Sequence, residues 1–185
     1  MSLADVQRRL GVTPDGVWGP KTEKAVTEAL WGAERVADPR ALDLIKSYEK
    51  LKLEAYQDAT GKWTVGYGTT ADAGVGIVPR PGMKITEAEA EKYLALALEK
   101  FAAQIEPGIE APTTPGEFGA MLSLAYNIGP TAFLNSSVLR KFNEGDKAGA
   151  AKAFRLYDKV RVDGKFKTLR GLTRRRADEV ALFIS

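Results

Sequence analysis

Three residues with chemically useful side chains, Glu49, Asp58 and Thr64, lie within the stretch YEKLKLEAYQDATGKWTVGYGTT, residues 48–70. A carboxylic acid can protonate a leaving oxygen while a second carboxylate activates water or attacks a sugar carbon, which is the chemistry of glycosidic bond hydrolysis. The acid needs partial burial, and the second carboxylate needs a polar, solvated setting. The hydroxyl of Thr64 can hold a water beside Asp58. Three such residues are also common on ordinary protein surfaces, so the spacing by itself leaves both interpretations open.

The amino-acid composition excludes several other kinds of hydrolytic site. The 185 residues include no His and no Cys. Ser-His-Asp triads, Cys-His dyads and zinc sites with His or Cys ligands therefore lack their central residue. Any hydrolysis must depend on carboxylates, hydroxyls, Lys or Arg, and we expect neither a metal nor another cofactor.

The elements that must position these residues are a helix and a short β-hairpin. Asp38 followed by Pro39 predicts an N-cap and a helix that runs towards Glu49. The next stretch, LEAYQDATGKWTVGYG, is rich in β-branched and aromatic residues and predicts a hairpin or meander that turns at Gly61. A helix end that faces a hairpin leaves a cleft between them, and sugar rings fit such clefts.

The rest of the chain predicts a mostly helical α+β fold, with a small helical unit followed by a larger domain. Thr86 and Glu89 form a capping box before a long helix to about Ile105, and Pro115 begins another helix. Asp163-Gly164 predicts the turn of a second hairpin. The further helices are expected at residues 3–10, 21–30, 137–143, 146–156 and 172–184.

The segment around Glu49 resembles the catalytic signature of phage-type lysozymes, glycoside hydrolase family 24. That signature has a Glu, eight residues, an Asp, five residues and a Thr, with tyrosine and glycines at set places. The matching residues are Glu49, Tyr56, Asp58, Gly61, Thr64, Gly66 and Gly68. The later stretches SLAYNIGPTAFLNSSVLRKFNEGD and GLTRRRADEVALF also resemble the family's helices, so the likeness runs from about residue 39 to the end.

The resemblance implies a lysozyme-like catalytic domain and a role for each matching side chain. Glu49 would be the general acid, Asp58 a base or electrostatic stabiliser, and Thr64 the residue that positions the attacking water. Family members usually invert the anomeric configuration. Arg176 matches the arginine that the family places near the catalytic Glu, and its expected role is orientation. Two positions depart from the family pattern: Lys50 replaces a glycine after the catalytic Glu, and Thr69 replaces a histidine.

The N-terminal stretch VQRRLGVTPDGVWGPKTEKAV resembles the core of a helical peptidoglycan-binding domain. Asp15 and Trp18 match that pattern and are candidate wall-binding residues, although we expect Trp18 to serve first as a buried anchor of the turn. The predicted organisation is a binding module at 1–35, a short junction at 36–40 and a catalytic domain at 41–185. A module this small buries little surface alone, so we expect it to pack against the catalytic domain.

The charge of the chain is unevenly distributed. Residues 140–185 contain thirteen Lys/Arg and six Asp/Glu, a net charge of +7, whereas the remainder carries −4. A basic C-terminal region suits a polyanionic partner such as the bacterial cell wall, and a solvated helix face is the alternative. No recognisable nucleic-acid-binding module accompanies the arginine run, so we expect no nucleic-acid partner.

The expected function is therefore that of an endolysin muramidase. Such an enzyme cuts the β-1,4 bond between N-acetylmuramic acid and N-acetylglucosamine in peptidoglycan. The alternatives are a lytic transglycosylase, which would not need Asp58 or Thr64, and a non-catalytic wall-binding or virion protein. No segment approaches the roughly 20 apolar residues of a membrane span. We expect a monomer without stable membrane insertion, made in the host cytoplasm and released to the wall or periplasm after permeabilisation by a holin.

Overall fold

The computed structural model describes residues 2–9, 11–19, 21–22, 37–58, 60–162 and 164–185. Within these residues the chain is mostly helical with two small antiparallel sheets, which confirms the predicted α+β class. The helices are α1 Leu3–Arg9, α2 Pro39–Tyr48, α3 Glu87–Ile105, α4 Pro115–Ile128, α5 Pro130–Leu134, α6 Ser137–Asn143, α7 Lys147–Ala153 and α8 Arg170–Phe183. The strands are β1 Lys52–Gln57, β2 Trp63–Gly66, β3 Thr69–Thr70, β4 Lys159–Val162 and β5 Lys165–Thr168.

Helix α4 is the centre of the larger hydrophobic core. Every residue from 116 to 125 is buried, as expected for a helix with neighbours on all sides. Its start is fixed by Thr114, which forms a capping box with Glu117, and by Pro115 in the first turn. Gly119 lets α2 approach closely, because a Cβ atom there would lie 2.8 Å from the Cβ of Ala41.

Helix α2 places Glu49 at the surface of this core. The side chain of Asp38 accepts a hydrogen bond from the Arg40 N–H at 2.8 Å and Pro39 follows it, which confirms the predicted start. The helix ends because Glu49 adopts an extended backbone, with φ −96° and ψ 127°. The chain therefore leaves α2 without the glycine that the family pattern has at position 50.

Strands β1, β2 and β3 form the predicted hairpin and extend it by one short strand. Tyr56 pairs with Thr64 across the first two strands, and Thr64 pairs with Thr70 across the second two. Gly66 has φ +67°, which an L side chain adopts only at a cost. A Cβ atom at Gly66 would also lie 3.2 Å from the Cβ of Ala90 on α3.

The remaining helices and strands lie where the sequence predicted them, and some begin or end at a different residue. Thr86 and Glu89 form their capping box, and α6 spans the predicted residues. The helix expected at 146–156 is α7 followed by a 3-10 turn over Phe154–Tyr157. Val162 pairs with Lys165 in the second hairpin, and α8 begins two residues before the predicted start.

The described residues near the N-terminus are organised around Gln7, which is fully buried. Its side-chain nitrogen donates to Asp15 Oδ1 at 2.7 Å and to Thr22 Oγ1 at 2.8 Å, and its oxygen accepts from the Gly16 N–H at 2.8 Å. Trp18 is 56% exposed, so the prediction of a buried anchor was wrong. Polar hydrogen bonds from Gln7 hold the turn instead. Of the second helix predicted at 21–30, only residues 21–22 are among those described.

Among the described residues, no helix combines the length and apolar character needed to cross a membrane.

Gly66→Ala should lower the free energy of unfolding by about 2–4 kcal/mol, because it adds left-handed backbone strain to a close contact with α3. Gly61→Ala is the matched control. Gly61 has φ +81° but nothing within 4 Å of the added Cβ atom, so only the backbone cost of about 1–2 kcal/mol is expected. Chemical denaturation measures the free energy of unfolding of both variants. Equal losses would mean that the contact with Ala90 relaxes at no cost.

Candidate active site

Glu49 lies at the edge of a cleft of about 510 Å³ between the first sheet and helices α3 and α4. Its side chain is 26% exposed, so it is partly removed from water yet open to a ligand. Tyr67, Phe101 and Tyr126 supply aromatic surface to the cleft, and Lys100, Gln104 and Asn127 supply polar groups. Such a mixture of apolar walls and a few polar groups is typical of small-ligand sites.

Arg175 holds Glu49 from the side of the core. Its Nη1 donates to Glu49 Oε1 at 2.8 Å, although the two residues are 126 positions apart in the chain. The guanidinium is 3% exposed and its Cζ lies 5.6 Å from the centre of the Tyr48 ring. The prediction that Arg176 is the arginine beside Glu49 was therefore wrong.

Glu179 connects both arginines in a buried cluster. Its Oε1 accepts from Arg176 Nη2 at 2.8 Å, from Arg175 Nε at 3.3 Å and from Ser123 Oγ at 2.7 Å. Burial raises the pKa of Glu179, and the arginines and Ser123 oppose that rise. Burial also lowers the pKa of Arg176. The cluster ties α8 to α4 and fixes the guanidinium that contacts Glu49.

Asp58 occupies the loop between β1 and β2. Its Oδ1 accepts from the Thr60 hydroxyl at 2.7 Å, the Thr60 N–H at 2.8 Å and the Lys62 N–H at 2.9 Å. These donors, led by the Thr60 hydroxyl, lower the pKa of Asp58 below its ordinary value. Asp58 is therefore a carboxylate that stays ionised in a polar loop.

Thr64 lies in β2 and is 3% exposed. Its hydroxyl donates to the Lys62 carbonyl at 3.1 Å, and the same carbonyl accepts the Asp58 N–H at 2.9 Å. Lys62 thus links Thr64 to the loop of Asp58. Glu49 lines the cleft, whereas Asp58 and Thr64 do not.

The pKa values of two tyrosines, Tyr56 and Tyr126, are raised in part by the charge of Glu49. Burial raises the pKa of Tyr56 first, and the negative charges of Asp58 and Glu49 raise it further, so Tyr56 lies within electrostatic reach of both carboxylates. Burial and the charge of Glu49 also raise the pKa of Tyr126. The Tyr126 hydroxyl donates to the Tyr67 carbonyl at 2.9 Å, which fastens α4 to the turn after β2.

Most of the cleft wall consists of residues that the sequence patterns did not single out. Lys100, Phe101 and Gln104 come from one side of α3, where a spacing of three and four residues is the only local signal. Tyr126 and Asn127 lie at the end of α4, in a stretch noted for its resemblance and not as part of a site. Nothing in either helix pattern indicates that the two helices face the same hairpin.

The helical core, the small sheet and the cleft between them are those of a lysozyme-like glycoside hydrolase. The phage lysozyme family model matches residues 46–179, so the chain belongs to the phage lysozyme family and is an endolysin-type enzyme. It is 42% identical over 146 residues to an endolysin of Acyrthosiphon pisum secondary endosymbiont phage 1, a match that covers 79% of this chain and 96% of that protein.

Solved structures agree with this assignment. The endolysin from Escherichia coli O157:H7 phage FAHEc1 is 40% identical, with a TM-score of 0.73, and the match covers 83% of this chain and 96% of that one. The muramidase domain of SpmX from Asticaccaulis excentricus is 34% identical, with a TM-score of 0.74, and the match covers 80% and 97%.

Arg175→Met should lower the free energy of unfolding by about 3–5 kcal/mol, because it leaves the buried Glu179 with one cationic partner fewer. Arg174→Met is the matched control, since Arg174 is the exposed neighbour in the same arginine run and should cost less than about 0.5 kcal/mol. Urea denaturation measures both variants. A stable Arg175→Met variant would show that the cluster repacks without its central guanidinium.

Thr60→Val should raise the pKa of Asp58, because it removes the hydroxyl that contributes most to lowering it. The measurement is a carboxyl ¹³C NMR titration, with Thr131→Val, an exposed threonine on α5, as the control. An unchanged Asp58 titration would assign its low pKa to the backbone N–H donors alone.

Proposed function

We propose that this endolysin hydrolyses the β-1,4 bond between N-acetylmuramic acid and N-acetylglucosamine in bacterial peptidoglycan, with Glu49 as the general acid. The observation that carries the proposal is the position of Glu49, half-buried at the edge of the cleft and held by a buried guanidinium. The muramidase domain among the structural neighbours supports the choice of bond. A carboxyl that is held in one orientation can donate its proton to the leaving oxygen without losing rotational entropy during the reaction.

Asp58 is the second carboxylate, acting as a base or as a stabiliser of positive charge on the sugar. Its low pKa supports this role, because a group that stays ionised cannot compete with Glu49 as the proton donor. The two environments differ as acid and base require: one carboxyl packs beside the core, and the other sits in a hydrogen-bonded loop.

Thr64 positions the attacking water in this proposal. Its hydroxyl proton is donated to the Lys62 carbonyl, which leaves the hydroxyl oxygen able to accept from a water. The shared Lys62 carbonyl sets Thr64 relative to Asp58. Water that attacks directly opposite Glu49 gives an inverted product, which needs carboxyl groups roughly 6.5–9.5 Å apart.

The N-terminal residues 1–35 act as a wall-binding module in this proposal. Trp18 supports it, because a 56% exposed indole is available to stack on a sugar ring. Asp15 accepts hydrogen bonds from Gln7 and from the Val17 N–H, so it shapes the turn that presents Trp18. The catalytic domain follows from residue 41, after a junction at 36–40 that already contains the start of α2.

Partners and location complete the proposal. Peptidoglycan is the substrate implied by the endolysin relatives, and a monomer acts on it. Synthesis in the host cytoplasm and release through a holin stay predictions. The basic surface around the C-terminal helices would favour an anionic wall, although Arg175 and Arg176 are buried and take no part in it.

Glu49→Gln should reduce peptidoglycan hydrolysis at least about 100-fold, the usual contribution of a general acid, while the protein stays folded. Glu54→Gln is the matched control. The Glu54 side chain is 62% exposed and pairs at 3.5 Å with Lys84. Mass spectrometry of fragments from purified peptidoglycan measures the reaction and should find reducing ends with the wild type.

Three outcomes would contradict the proposal. Anhydro ends would mean transglycosylation, and free amino-terminal peptides would mean cleavage of the peptides instead of the glycan. Activity of Glu49→Gln close to that of Glu54→Gln would remove Glu49 from its role.

A further inference from the structure

Tyr48 is the last residue of α2 and immediately precedes Glu49. Its half-buried side chain contacts α8 at two points. The guanidinium of Arg175 lies over the ring, with Cζ 5.6 Å from the ring centre. The Tyr48 hydroxyl donates to the carboxylate of Asp178, which lies three residues further along α8. Tyr48 therefore spans about one turn of α8, beside the arginine that contacts Glu49.

The contacts of Arg175 divide between the edge and a face of its guanidinium. Nitrogen atoms at the edge donate to Glu49 Oε1 at 2.8 Å, to Glu179 Oε1 at 3.3 Å and to the Ser123 carbonyl at 3.3 Å. The ring of Tyr48 covers one face. Hydrogen bonds at the edge hold the guanidinium within its plane, whereas an aromatic ring on a face opposes tilting out of that plane.

The hydroxyl of Tyr48 holds the ring in place. A ring held only by packing can slide across a guanidinium, whereas a ring bonded to Asp178 keeps its position along α8. Burial and then the carboxylate of Asp178 raise the pKa of Tyr48 to about 12, so the hydroxyl keeps the proton that it donates. The ring is thus fixed at both of its ends, by the backbone of α2 and by a carboxylate of α8.

We propose that Tyr48 is a positioning residue for the general acid, and this inference rests on the function proposed above. Its ring keeps the guanidinium of Arg175 in the plane that reaches Glu49, and its hydroxyl bond to Asp178 keeps the ring there. Tyr48 does not line the cleft, so it acts on the reaction through Arg175 and not by contact with the substrate. Removing the ring should therefore lower kcat and leave KM unchanged.

The size of the loss follows from what remains after each substitution. A displacement of about 1 Å can cost about 100-fold in rate, and Arg175 keeps its hydrogen bonds when the ring is removed, so Tyr48→Leu should lower kcat about tenfold. Tyr48→Phe keeps the ring and loses one hydrogen bond, so it should lower kcat only about threefold. Asp178→Ala removes the same hydrogen bond and should match Tyr48→Phe, and the double variant should lose no more than either.

Steady-state hydrolysis of soluble peptidoglycan oligosaccharides by the full chain measures kcat and KM. Tyr93→Leu is the matched control, because Tyr93 is a half-buried tyrosine of α3 that does not line the cleft. It packs against a hydrophobic cluster that includes Val65 and Ile77. This control removes a similar ring and should keep both constants. Thermal midpoints show which variants are folded.

A second measurement needs no turnover. In ¹⁵N NMR the guanidinium of Arg175 should give separate Nη1 and Nη2 signals, because a group held at its edge and its face rotates slowly about its C–N bonds. Tyr48→Leu should lose this separation, whereas Tyr48→Phe and Tyr93→Leu should keep it.

The proposal is overturned if Tyr48→Leu keeps kcat, if it raises KM instead of lowering kcat, or if it keeps separate Arg175 signals. Should Tyr48→Leu not fold, the exposed residue Asp178 keeps the test open, since wild-type kcat in Asp178→Ala also overturns the proposal. Wild-type activity in Glu49→Gln would instead count against the proposed function, because that variant leaves Tyr48 and Arg175 in place.

Discussion

The buried guanidinium of Arg175 joins the parts of the fold that surround Glu49. It joins Glu179 of its own helix to Glu49, which follows α2, and its Nη2 donates to the Ser123 carbonyl of α4. Three helices that are distant in sequence are thereby held at one point. The fixed fork of an arginine suits this task better than a lysine would, because it offers several donors in one plane. The catalytic candidate is thus attached to the most deeply buried part of the domain.

Such a cluster costs free energy to bury. An apolar replacement of similar shape is often as stable as a buried ion pair, so stability alone does not explain why charges lie here. Two arginines face two glutamates, Glu179 and Glu49, and the group is neutral when Glu49 is ionised. A general acid must pass through that ionised state after it gives up its proton. In the proposed mechanism the guanidinium of Arg175 already lies beside Glu49 when that negative charge forms, which is the preorganisation that favours catalysis.

The two carboxylates differ because their surroundings differ. Glu49 contacts the core through a single guanidinium, whereas three donors in a tight loop surround one oxygen of Asp58. Glu49 lines the aromatic cleft, whereas Asp58 does not. These surroundings suit the separate roles that we propose for Glu49 and Asp58.

Features that depend on neighbours along the chain were predictable from the sequence. Asp38-Pro39, Thr86 with Glu89, and Pro115 placed the starts of three helices, because capping acts through hydrogen bonds within one turn. The hairpin and the spacing of Glu49, Asp58 and Thr64 are local in the same sense. Tertiary packing determines which arginine contacts Glu49, since successive helical residues point about 100° apart and the partner is 126 positions away. It also decided that Trp18 is exposed and that residues of α3 and α4 share one cleft with Glu49, because burial and cleft walls depend on how separate elements pack.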